Sequence, residues 1–117
     1  MRRVTVVLVG ATMLLTGAQV ALARVSSNIS IHYNADTEMF HGKVTASDAE
    51  CRAARVVKLF LETAGGRTLE GRATSNANGG WRIELMHAEG HYFAVAPKHE
   101  GMHATCDRAV SETVDVM

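Results

Sequence analysis

The chain has 117 residues, enough for one domain and no more. Its 12 basic and 12 acidic side chains cancel. There is no cationic excess to hold nucleic acid and no polybasic run for an anionic membrane, which sets both partner classes aside.

The N-terminus reads as an address. Arg2 and Arg3 precede an apolar run from Val4 to Leu15, and Ala21-Leu22-Ala23 follows. A positive start, a short apolar centre and an A-x-A ending make a secretory signal peptide over residues 1–23, cleaved after Ala23. The alternative is a retained membrane anchor. The run is barely long enough to span, and Gly10, Thr12, Thr16, Gly17 and Gln19 interrupt it. No cysteine follows the run to carry a lipid. Cleavage removes two arginines and leaves residues 24–117 slightly acidic, with no segment for stable membrane insertion. A secreted or extracytoplasmic protein is expected.

Cys51 and Cys106 both fall in the exported part. An even count in a small exported domain predicts a disulfide between them. It would close a loop of about 55 residues, worth about 4 kcal/mol in the chain-entropy account. A catalytic thiol would want a reducing compartment or a neighbouring base. Arg52 and Arg55 flank Cys51 and would lower its pKa if it were free, a role the bridge removes.

Arg24 to Ser27 reads as a short polar lead. Ile29, Ile31 and Tyr33 alternate with polar residues and predict a first strand, closing an N-terminal part over residues 24–38. The sandwich proper is expected over 39–117. Asn34-Ala35-Asp36 is a turn, and Phe40, Gly42 and Val44 alternate with His41, Lys43 and Thr45 in a second strand. Ser47 to Arg55 is read as a loop around Cys51. Arg55 to Thr63 is a central strand with Val57, Leu59 and Leu61 on one face and Val56 and Phe60 on the other. Thr68 to Thr74 follows with Leu69, Gly71 and Ala73 inward.

Asn76, Asn78, Gly79 and Gly80 crowd five positions and predict a hairpin turn. Trp81, Ile83 and Leu85 then share one face. Trp81 is read as core rather than a sugar-stacking platform. Gly90 launches another strand, whose Tyr92, Ala94 and Ala96 are taken as the core face; the opposite register is nearly as arguable. Pro97 ends it. Pro97 to Arg108 is read as the longest irregular connection, and Val114 and Val116 close the fold. About seven short strands separated by turns predict an all-β, antiparallel sandwich of immunoglobulin or prealbumin type with one disulfide. His32 and His41 are read as solvent-facing strand positions.

Four pieces in order carry a resemblance: Phe40-x-Gly42-x-Val44, Arg55-x-Val57-x-Leu59, Asn76-x-x-Gly79-x-Trp81-x-Ile83 and Gly90-x-Tyr92-x-Ala94. Over roughly Phe40 to Val116 the chain resembles the carboxypeptidase regulatory-like, or transthyretin-like (prealbumin-like), β-sandwich, in its small secreted bacterial form. The resemblance implies a seven-stranded Greek-key domain that serves as an accessory, cell-surface or spacer module without a catalytic set. Asn76 stands where aspartate is more usual. Some related surface domains form a Lys-Asn cross-link, but Lys43 alternates with the inward face and does not suit that job.

His99-Glu100-Gly101-Met102-His103 fits H-E-x-x-H. On a helix that spacing brings two imidazoles to one zinc, with the glutamate as general base. Here Pro97 precedes it, Gly101 sits in its centre, and no third ligand follows at family spacing. The alternative it leaves open is a small zinc-binding protein or zinc hydrolase using His99 and His103 with Glu100 as base, helped by His87 or His91. The reading preferred is a module with no cofactor, no catalytic residue and an extracellular or cell-surface partner of unknown identity. Its oligomeric state is not legible.

Overall fold

A computed structural model describes residues 22–117. The expected leader lies outside them except for Leu22 and Ala23. No helix among the described residues is long and apolar enough to cross a membrane.

The described chain is all-β. Its strands are β1 (Ala23–Val25), β2 (Ser27–Ile29), β3 (His32–Asn34), β4 (Met39–Ala46), β5 (Val56–Thr63) and β6 (Gly66–Thr74). Then come β7 (Gly80–Glu84), β8 (Gly90–Ala96), β9 (His99–Glu100), β10 (Ala104–Cys106), β11 (Ala109–Val110) and β12 (Val114–Val116). This exceeds the seven expected, because several runs are broken into two- and three-residue pieces.

Two antiparallel sheets enclose the core. In the first, β4 is central; β7 pairs one edge, and β2 and β3 share the other. In the second the order runs β6–β5–β8, with β11 and β12 both on the far edge of β8. Side chains alternate in and out along each strand. Phe40, Val44, Trp81 and Ile83 of the first sheet therefore meet Val57, Leu59, Tyr92 and Ala94 of the second. The Phe40 and Tyr92 rings span the interface at 4.8 Å between centroids. The tyrosine face of β8 is the core face, as its alanines suggested; Ala94 and Ala96 are fully buried.

A third, smaller sheet joins the ends. β1 runs parallel to β10, and β10 pairs antiparallel with β9. Arg24 to Ser27 is thus strand rather than polar lead. Pro97 to Arg108 is not irregular but a hairpin. Cys51 and Cys106 are bridged, with Cα atoms 5.4 Å apart, and lie with Ala104 in a separate buried cluster. The loop before them holds a 3-10 turn, Ala49–Cys51, which Asp48 caps by accepting the Glu50 N–H at 2.8 Å. The expected loop is therefore partly helical.

Three further departures have local causes. The first strand is split at Ser30 and Ile31. There the Ser30 N–H donates to the Lys43 carbonyl, while the Lys43 N–H donates to Ser30 Oγ, so a side chain takes one place in the ladder. Leu69 was expected inward but is 43% exposed. Leu59 pairs with Gly71 and Phe60 with Leu69, so Glu70 is an extra residue, and the bulge flips the face of everything before it. The Asn76–Gly80 turn is not a hairpin turn. It carries the chain from β6 in the second sheet to β7 in the first. Asn76 Oδ1 accepts the Asn78 and Gly80 N–H groups, both at 2.9 Å. Gly79 has φ +90°, and a Cβ there would overlap the Val44 carbonyl, so only glycine fits.

Candidate functional site

The outer face of the first sheet carries a row of basic side chains, two histidines and an arginine. Residues directly opposite on neighbouring strands are close enough to interact. The register sets His32 of β3 opposite His41 of β4, and His41 opposite Arg82 of β7. The two imidazoles lie 5.4 Å apart between centroids, tilted by 31°. One row along, Lys43 stands opposite Gly80, whose missing side chain leaves space. Ser30, His32, His41, Lys43, Asn76 and Arg82 line an open groove of about 870 Å³ on this face. Thr45 and Thr74 complete its wall.

Gly42 and Trp81 also border the groove. Gly42 lies between His41 and Lys43 with its absent side chain directed inward. A Cβ there would overlap the Ser30 carbonyl and approach Trp81 Nε1 to 3.0 Å. Trp81 itself is 4% exposed, so its indole is core and offers no stacking surface. Among the described residues, no carboxylate pairs with His32, His41, Lys43 or Arg82. His32 and His41 are exposed, as expected, but their juxtaposition with each other and with Arg82 is new. It depends on strand register, which the sequence alone does not state.

The H-E-x-x-H segment takes a different shape from a zinc helix. His99 and Glu100 form β9, so their side chains leave opposite faces of the strand. His103 lies in the turn before β10. Glu100 pairs with Lys98 at 3.2 Å on the surface. No group of three or more His, Cys, Asp or Glu able to hold a metal occurs among the described residues.

That hairpin is instead held by a residue the sequence reading passed over. Glu50, on the 3-10 turn, accepts the Met102 N–H at 2.7 Å and the His103 N–H at 2.9 Å. The His103 main-chain N–H holds the Glu50 carboxyl below its ordinary range. Partial burial opposes the shift, while the Met102 N–H and the His103 side chain add to it.

Arg55 was also missed. Its side chain is fully buried, and its guanidinium meets no carboxylate. Nη1 donates to Ser27 Oγ at 2.9 Å and to the Cys51 carbonyl at 2.8 Å. Nη2 donates to the Pro97 and Asp107 carbonyls, both at 3.1 Å. Desolvation lowers its pKa. An arginine at the edge of an apolar run gives no sign of burial; besides the nearby Cys51 carbonyl, its acceptors come from three distant places in the chain.

No family model, curated protein or solved structure matches the chain. The groove, the Glu50 clasp and the Arg55 hub are therefore read from their own chemistry. Glu50 is bonded to main-chain N–H groups and Arg55 to three carbonyls and the Ser27 hydroxyl, with its Nε unpartnered, and both hold the fold. The groove residues point to solvent with their donors free.

Proposed function

We propose that the chain is an exported, non-enzymatic β-sandwich module, of the carboxypeptidase regulatory-like type, that binds an extracellular or cell-surface partner through the groove on β4. The observation that carries this reading is the His32–His41–Arg82 row, three cationic or ionisable side chains aligned across three strands with no internal acceptor. Lys43 and Arg82 bring fixed positive charge to this face with no carboxylate partner among the described residues, which an anionic ligand would supply. The disulfide suits an oxidising compartment, which supports export. The leader-like N-terminus points the same way.

The zinc-hydrolase reading draws no support from a segment that is strand and turn. Glu100→Gln is expected to leave binding and stability unchanged.

The test uses the full chain exported from a bacterial host and recovered oxidised. It is applied to an array of immobilised glycans and peptides beside the Lys43→Glu, Arg82→Glu double variant. Signals present with the parent and absent with the folded variant support the groove. Identical patterns from both proteins contradict it.

A further inference from the structure

The ligand chemistry of the groove follows from which hydrogen-bonding groups are already used. Ser30 Oγ accepts the Lys43 N–H, which leaves its hydroxyl hydrogen to donate outward. Asn76 Oδ1 is occupied by two turn N–H groups, which leaves its Nδ2 hydrogens. Lys43 and Arg82 are donors only. Thr45 and Thr74 hydroxyls can donate or accept, so the fixed bias of this surface is its charge: Lys43 and Arg82 donate only and have no carboxylate partner among the described residues. Resting on the module reading above, we infer that the groove takes an acidic saccharide, a sugar carrying carboxylate groups.

The alternatives fit less well. Single-stranded nucleic acid is held mainly by stacking on large exposed rings, and Trp81 is buried. β4, which runs through the groove, is paired along both edges, so an extended peptide could add as a strand only at the outer edges of β3 or β7 and not over the groove's centre. A metal ion on the two imidazoles would face Arg82 across the same row. A saccharide carboxylate matches the His41–Arg82 row, and sugar oxygens match the Ser30, Thr45, Thr74 and Asn76 donors along the wall.

Calorimetry on the oxidised full chain tests this with a galacturonic acid trimer, a neutral glucose trimer and sodium sulfate. The acidic trimer is expected to bind about tenfold more tightly than either control. Arg82→Gln should weaken it about tenfold. Equal binding of the neutral trimer overturns the charge assignment, and equal binding of sulfate overturns the saccharide. If none of the three binds while array signals still depend on Lys43 and Arg82, the module reading stands and this inference falls.

Discussion

The Arg55 guanidinium donates to the Cys51 carbonyl at 2.8 Å, so the buried charge of the fold is bonded to the main chain of a bridging cysteine. The same group reaches Ser27, Pro97 and Asp107. It thereby ties the 3-10 turn to β2, to the end of β8 and to the segment after β10.

Removing that side chain leaves three carbonyls and a hydroxyl without their donor and opens a cavity. Arg55→Ala is expected to cost about 4 kcal/mol in urea unfolding. Arg55→Lys keeps the charge but lacks the planar fork, and should fall between the two. A loss below about 1 kcal/mol for the alanine variant would show that water or repacking satisfies the carbonyls.

The disulfide acts on the same junction from the other side. It spans 55 residues, and replacing both cysteines with serine should remove about 4 kcal/mol. A domain this small has a thin margin, so the variant is expected to be largely unfolded at 37 °C. A cooperative melt near that of the oxidised protein would contradict this.

How far the sequence foretells this junction depends on the range of the interactions. Alternation in 40–44, 81–85 and 92–96 marks the inward faces correctly, because period two is a property of a single strand. The pairing of Cys51 with Cys106 was legible from their even number and the leader-like N-terminal sequence. Leu69 was misplaced because a bulge at Glu70 shifts register against β5, and register belongs to two strands. The Asn76 turn was recognised as a turn, yet its chemistry does not say which sheet the chain enters next. Apart from the Cys51 carbonyl, Arg55 and Glu50 find the side-chain partners described above more than 20 residues away, and the groove needs three strands in register.

Glu50 makes stability depend on pH. Its carboxyl is held below the ordinary range in the folded protein by main-chain N–H groups, His103 first. The ionised form therefore stabilises the fold at pH values above the unfolded carboxyl's pKa. That contribution is lost as pH falls through the lower, folded value. Melting temperatures followed downward from neutrality should drop through the carboxylate range in the parent, and drop less in Glu50→Gln. Parallel curves would contradict the clasp.

Gly42 links the core to the groove floor. Gly42→Ala forces its Cβ against the Ser30 carbonyl, which must move away from β4. The variant is expected to lose about 3 kcal/mol in chemical unfolding, because main chain yields less readily than a side chain tip. Unchanged stability would show that the strand break at Ser30 is soft.

The most direct test of the binding face is residue-resolved. Amide chemical shifts of the isotope-labelled, oxidised protein would be followed as the galacturonic acid trimer is added at mildly acidic pH. The expected changes cluster on His32, His41, Lys43, Thr45, Asn76 and Arg82, with the β9–β10 hairpin silent. Changes centred on His99 to His103, or spread without regard to the first sheet, would contradict the groove as the site of recognition.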